Sequence, residues 1–338
     1  MTSISQGDMA QTFLLRRQNA DLKTALNRLT FEMSSGRQQD LSKAVRGDFK
    51  VLAGLEHSLS LLASFRTAAS EAGTLTENLQ TAFETVQTIT SDLAPSLNAA
   101  GTTGGATQIS TAAYDARQKL FSAVSALNVR VGDRYALSGT ATDQKPILGA
   151  QEMLDELAVA ITGQVTATGV IGAVDAWFDA PPGGGGYVDT IYGGSATPLQ
   201  PLRIGEGEEA NLTLTATDDT LRGTLKGLAI AALVAEGALP GDLVGQSVLM
   251  KIAGQRLMGN GTDLATLRAG LGSVEAQIAT VSTRTENEAA ALELARNRIV
   301  AADPYETANE LQAVQTQLET LYAITARLSR LSLADYLR

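Results

Sequence analysis

The strongest constraint in this chain is a heptad seam. Stepping by four and three from Val51 passes Leu55, Ser58, Leu62, Phe65, Ala69, Ala72, Thr76, Leu79, Phe83, Val86, Thr90, Leu93 and Leu97, and none of these residues is charged. A seam of that length distinguishes a coiled-coil-like rod from a chance amphipathic helix. Pro95 lies near its end, and the stretch from Gly101 to Gly105 is expected to stop it. At 1.5 Å per residue, the rod would be roughly 70 Å long. Such rods belong to bundles and fibres more than to ordinary globular domains.

Further helical stripes follow the same period. A second helix is expected over Gln108 to Val131, on Ile109, Ala113, Ala116, Leu120, Ala123 and Leu127. The connection from Gly101 to Ala106 is short, so this helix should fold back antiparallel on the first. A third long helix is expected over Asp263 to Ala301, its seam weakening at Thr285 and Glu288. Asp303-Pro304 interrupts it, because proline suits a first helical turn and not an interior. A terminal helix then runs on Leu311, Val314, Leu318, Leu321, Thr325 and Leu328. At the other end, Leu15, Leu22, Leu26, Leu29 and Met33 form a stripe that stops at Ser34-Ser35-Gly36.

The middle reads differently. Residues Ala150 to Thr220 hold Pro181-Pro182, Gly183 to Gly186, and the alternating run Asn211 to Thr217. Alternation of apolar residues with threonine predicts a strand, and Leu225 to Ala235 returns to helix. The fold class is therefore mainly α: a long antiparallel coiled-coil-like helical bundle from both chain ends, with a small β-rich central insert. The expected division is 1–47 with 302–338 as a terminal helical region, 48–149 with 222–301 as the long-helix bundle, and 150–221 as the β-rich outer insert. Aromatic residues make up only 4% of the chain, so the core must be mostly Leu, Ala, Val and Ile, which suits packed helices.

Composition excludes several function classes. The 36 acidic and 26 basic residues leave a net charge of −10, with no basic cluster to neutralise phosphates. Neither nucleic acid nor a membrane is an expected partner. With no cysteine, the chain has no disulfide, no thiolate metal site and no cysteine nucleophile. The one histidine, His57, cannot build a two-histidine metal site, and as a general base it would need a Ser or Asp partner that does not stand out; it reads as a partly exposed helical residue. No catalytic residue, cofactor or metal is assigned. Gly183 to Gly186 lacks the Gly-Lys-Ser/Thr continuation of a phosphate loop and reads as a mobile loop. Gly205-Glu-Gly-Glu-Glu209 lacks calcium-loop spacing and reads as a turn between strands. Asp133 and Arg134 sit where a helix is expected to end, as a cap or as a subunit contact. The first ten residues are polar, so no cleavable secretory signal is expected.

Three stretches carry a resemblance. Leu29-Thr-Phe-Glu-Met-Ser-Ser-Gly-Arg37, Asn128-Val-Arg-Val-Gly-Asp-Arg-Tyr-Ala-Leu-Ser-Gly-Thr140 with Pro146-Ile147, and Glu310 to Tyr322 with Leu331 to Leu337 resemble elements of the flagellin-type axial family. The middle stretch, through Gly132, Arg134, Tyr135, Ser138 and Gly139, is most similar to the branch that joins hook to filament. The family's "A-D-D-P" loop and the second aromatic of its "Y-L-F-S-G" stretch have no counterpart here.

The resemblance implies a non-enzymatic subunit of the bacterial flagellum, exported by the type III route without a cleaved signal and located outside the cell. Its implied partners are copies of itself in a ring, hook-associated protein 1 on the hook side, flagellin on the filament side, and an export chaperone. Paired terminal helices would form the inner tube, the long helices the next shell, and the insert would point outward. Leu15, Leu22, Leu26, Leu29, Leu311, Val314, Leu318, Leu321, Leu328, Leu331 and Leu333 are the expected assembly interface. The terminal stripes can pair with each other or with neighbouring copies, and a free subunit is expected to bury both poorly. The other readings are flagellin itself, a coiled-coil binding module such as an adhesin or adaptor, and an enzyme.

Overall fold

The computed structural model describes residues 4–336, and their side chains except at 4–8, 11, 12, 43 and 328–336. Ten helices and four short strands follow in the order α1 (Ile4–Ser35), α2 (Leu41–Ala44), α3 (Lys50–Thr103), α4 (Ala106–Leu127), β1 (Arg130–Val131), β2 (Arg134–Tyr135), α5 (Ala150–Ala160), α6 (Ala167–Phe178), α7 (Tyr187–Thr190), β3 (Leu202–Gly205), β4 (Glu208–Ala210), α8 (Asp219–Ala235), α9 (Leu243–Val300) and α10 (Pro304–Tyr336). The protein is mainly helical, and its only sheets among the described residues are two antiparallel pairs, β1–β2 and β3–β4. Two compact units divide the chain: Met1–Ala63 with Asn287–Arg338, and Ser64–Glu286.

The larger unit is built on four helices. Gly101 and Gly254 mark the closest approach of α3 and α9. A Cβ on Gly101 would lie 2.7 Å from the Lys251 amide nitrogen, and one on Gly254 would lie 2.8 Å from the Ala94 carbonyl. Further along, the Gln80 amide donates to the Arg268 carbonyl at 2.9 Å. Residue numbers fall along α3 as they rise along α9, so the two run antiparallel. Gly227 meets Leu257 and Gly223 meets Asn260, which sets α8 antiparallel to α9. α4 packs along α8, with Arg117 bound to Glu236. Gly104 (φ +65°) and Gly105 are the whole connection from α3 to α4, and the buried residues of the two helices belong to one apolar core.

The heptad seam is the core of this unit from Phe65 onward: Phe65, Ala69, Ala72, Thr76, Leu79, Phe83, Val86, Thr90, Leu93 and Leu97 are all buried. It does not hold at its start, where Val51 is exposed. Three aromatic residues cluster: Trp177 meets Phe178 edge-on at 4.9 Å, and Phe178 stacks on Tyr187 at 5.5 Å.

α3 passes through Pro95 and ends at Thr103, inside the Gly101 to Gly105 stretch expected to stop it. Other boundaries differ from the sequence expectation. α4 stops at Leu127 and does not reach Val131, because Asn128 leaves the helix to bind Ile147 and the chain turns into β1–β2. α9 begins at Leu243, twenty residues before the expected Asp263; of its early glycines, Gly254 lies against Ala94 and Asn98 of α3, while Gly259 and Gly261 face open space. α8 begins at Asp219 rather than Leu225, capped by Asp218, whose carboxylate accepts the Thr220 amide at 2.9 Å.

The run Asn211 to Thr217 is not a strand. Its alternation is real, with Leu212 and Ala216 buried, but alternation reports which face is covered and no ladder forms. Residues 150–221 hold α5, α6 and α7 with a single hairpin, β3–β4. The Glu206-Gly207 turn joins those strands, as the acidic cluster was read. Gly183 to Gly186, read as a mobile loop, is tied down by Asp189, whose carboxylate accepts the amides of Gly183 (2.9 Å) and Gly185 (2.8 Å). Those two hydrogen bonds hold the Asp189 carboxyl below its ordinary pKa. The position a phosphate would take is filled by the protein's own carboxylate.

Candidate functional site: the terminal helix pair

In the smaller unit, α1 and α10 pack against each other. Local chemistry sets the angle between them. α1 ends at Gly36, which adopts φ +67° and donates its amide to the Glu32 carbonyl at 2.9 Å; glycine takes that conformation without the Cβ penalty. α10 begins at Pro304, where the missing N–H costs nothing. Asp303 caps it, accepting the amides of Tyr305 (2.8 Å) and Glu306 (3.2 Å).

The two ends are stitched backbone to backbone. Arg37 and Ala301 form an antiparallel bridge, Gln38 N donates to Val300 O at 2.8 Å, and Ala302 N donates to Gly36 O at 3.0 Å. Because the end of α1 meets the start of α10, the pair is antiparallel. Glu32 completes the corner: it is buried, it accepts the Gln39 amide at 3.0 Å, and it pairs with Arg28 at 2.9 Å. Arg28 reaches across to Glu310 at 3.6 Å.

Of the residues expected at an assembly interface, Leu29, Leu318 and Leu321 are buried within this unit. Leu15, Leu22, Leu26, Leu311 and Val314 are half-buried. The side chains of Leu328, Leu331 and Leu333 lie outside the described residues. The terminal stripes thus pair with each other inside one chain, which the sequence left open against pairing with neighbours.

A second apolar set was not found in the sequence. Met9, Phe13 and Phe31 are 69%, 66% and 50% exposed. At 100° per residue Phe13 and Phe31 lie about 170°, and Met9 about 130°, round α1 from the leucine stripe. Leu14, Met33, Tyr322 and Ile324 are exposed as well. Adjacent Phe13, Leu14 and Leu15 had blurred the periodicity, and the leucines drew the reading to one face.

The hairpin motif is a structural clasp. Gly132 (φ +63°) and Asp133 form the β1–β2 turn, so Asp133 and Arg134 do not sit at a helix end. Tyr135 N donates to Thr142 O at 2.7 Å, and the Arg130 guanidinium covers the Tyr135 ring at 5.7 Å. Ser138 is buried and donates to Gln144 O at 2.6 Å. Gly139 (φ +59°) lies against residues 195–197, where a Cβ would come within 2.4 Å of the Thr197 carbonyl.

His57 is exposed on α3, and the described residues contain no cluster of three His, Asp or Glu side chains suited to a metal. No helix among them is long and apolar enough to cross a membrane.

The smaller unit is thus an antiparallel terminal helix pair with an exposed apolar set on α1. Residues 257–337, from α9 through α10, match the family model of the bacterial flagellin C-terminal helical region. That match likens the C-terminal part of the chain to a flagellin region and supports a flagellar structural subunit. No curated protein matches the sequence.

Proposed function

We propose that this chain is the flagellar subunit that joins hook to filament, of the hook-associated protein 3 type, and that copies meet through the α1–α10 pair. The observation that carries the assembly element is the exposed Met9, Phe13 and Phe31 set on a helix whose other side packs against α10 through Leu29. Fully burying one such side chain is worth about 1.5–3 kcal/mol, so several docking together outweigh the ordering of a neighbour. Leu15, Leu22, Leu26, Leu29, Leu311, Val314, Leu318 and Leu321 hold the pair in the shape that neighbours read; Leu328, Leu331 and Leu333, outside the described side chains, are proposed with them as part of the assembly interface. The resemblance of Gly132, Arg134, Tyr135, Ser138 and Gly139 to the junction branch supports a ring of copies between hook-associated protein 1 and flagellin, reached through type III export with a chaperone.

The second reading is flagellin itself, favoured by the match of residues 257–337 to a flagellin region. Location on living cells separates the two. The chain has no cysteine, so Glu156→Cys, at an exposed position on α5, gives a single maleimide label. One spot at the base of each filament is the expected result. Label along the filament length overturns the junction reading in favour of flagellin, and no flagellar label overturns both.

A further inference from the structure

α9 is one continuous helix from Leu243 to Val300, yet its core contacts lapse on the way. Leu257, Leu264, Leu271 and Ile278 are buried at heptad spacing. The positions between them are filled further on by Leu267 and Val274, both half-buried, but between Leu257 and Leu264 they fall on Asn260-Gly261. None of residues 258–263 is buried. The helix is anchored on both sides of this gap. Upstream, Arg256 donates to Asp175 of α6 at 2.7 Å, and Leu257 meets Gly227 of α8. Downstream, Arg268 donates to Gln80 of α3 at 3.2 Å.

Two glycines stand in the gap. A Cβ on Gly259 or Gly261 would meet nothing within 4 Å, whereas one on Gly254 or Gly227 would strike a neighbouring helix. Relative to alanine, each glycine weakens a helix interior about four- to five-fold, and the pair weakens this turn about 20-fold. The closed helix gains no contact in return. Gly270 and Gly272 form a second glycine pair on α9, but buried Leu271 lies between them and pins that turn.

Asn260 ties the weak turn to α8. Its amide donates to Thr220 O at 3.2 Å and to Thr224 Oγ1 at 3.4 Å, and it fills the notch where a Cβ on Gly223 would come within 2.4 Å. Open clefts flank the turn on both sides, one of about 580 Å³ lined by Lys226, Arg256 and Asp263, the other of about 490 Å³ lined by Leu214, Asp263 and Leu267. There is space beside the turn for it to move into.

We propose that α9 is jointed at residues 259–262. The turn opens and recloses as a unit while the helix on either side stays formed, and Asn260, seated against Gly223, is the latch that holds it shut. Open, it frees the half of α9 beyond Leu264 from the direction that α8 imposes. The joint lies within the larger unit and is independent of how copies meet.

Hydrogen exchange of the full chain at neutral pH tests this. Protection factors are expected to be at least about ten-fold lower at the amides of 260–264 than at those of 248–256, with 270–274 protected like the latter. Gly259→Ala with Gly261→Ala, whose added methyl groups face open space, should raise protection at 260–264 about 20-fold. Asn260→Ala should lower it about three-fold or more. Even protection from 248 to 274, protection at 270–274 as low as at 260–264, or a glycine-pair variant that leaves 260–264 unmoved overturns the joint. Indifference to Asn260→Ala overturns the latch.

Discussion

Asn128 and Ile147 exchange two hydrogen bonds, side-chain amide to backbone, each 2.9 Å long. The asparagine stands in for one rung of a strand, and it is what converts the end of α4 into the hairpin that follows. Ile147 is fully buried, so neither of its backbone groups can turn to water. Asn128→Ala should cost about 2–4 kcal/mol, since orphaning a buried polar group costs roughly 1–3 kcal/mol. Urea denaturation measures it, and a loss under about 0.5 kcal/mol would show that the pair is dispensable.

Gly139 combines a left-handed backbone with a carbonyl within 2.4 Å of where a Cβ would stand. Gly139→Ala must move residues 195–197, and should destabilise by about 2–4 kcal/mol from conformation and overpacking together. Gly132 also has positive φ but faces open space. Gly132→Ala should therefore cost only about 1–2 kcal/mol, the conformational part alone. Equal thermal shifts for the two variants would refute the distinction.

The α3–α9 crossing makes a similar demand. Gly254→Leu should push Ala94 and Asn98 away and lower stability by at least about 1–3 kcal/mol. Gly259 has nothing within 4 Å of its Cβ position, and Gly259→Ala should stabilise by about 0.5–1 kcal/mol through helix propensity. Circular dichroism melts of both variants give the comparison, and the same sign for both would be the failing outcome.

Asp175 predicts an acid limb. Its carboxylate takes a hydrogen bond from Arg256 at 2.7 Å and lies 3.5 Å from Lys226. The Arg256 hydrogen bond is the main reason its pKa falls below 3.8. A depressed folded pKa means that the native state binds the proton less readily than the unfolded chain does. The stabilisation is present above about pH 4 and is lost as pH falls through the lowered value. Asp175→Asn should thus be less stable than the parent at pH 7, with the gap closing below pH 4. A gap that is unchanged down to about pH 2.5 contradicts the assignment.

The two faces of α1 should separate by assay. Leu29→Ala, inside the α1–α10 pair, should cost about 2–5 kcal/mol. Phe13→Ser with Phe31→Ser, on the exposed face, should leave the melting temperature within a few degrees and stop assembly. Light scattering together with a melt of the soluble chain reads both, and normal assembly by the double variant would remove that face from the interface.

Much of this was legible in the sequence, for reasons that differ by element. The seam from Phe65 to Leu97 was readable because each step places an uncharged, mostly apolar side chain on the buried face of α3. Ser34-Ser35-Gly36 and Asp303-Pro304 were readable because their backbone chemistry is local. The first twenty residues of α9 were not, since Gly245, Gly254, Gly259 and Gly261 look like breakers until Ala94 is seen against Gly254. The Asn211 to Thr217 alternation misled for the opposite reason: it gave the buried face of a segment correctly and carried no information about hydrogen-bond partners. The Met9, Phe13 and Phe31 face required three-dimensional exposure, because in the sequence its members sit among leucines that point elsewhere.

The stitch between α1 and α10 joins residues far apart along the chain: Gln38 reaches Ala301 across 263 positions. Synthesis proceeds in order, so α1 is made long before the helix that covers its leucines. Loop closure over such a distance is slow compared with local helix formation. During that delay Leu22, Leu26 and Leu29 have no intramolecular cover. The same separation that makes the terminal pair a late event in folding leaves α1 open to whatever meets it first.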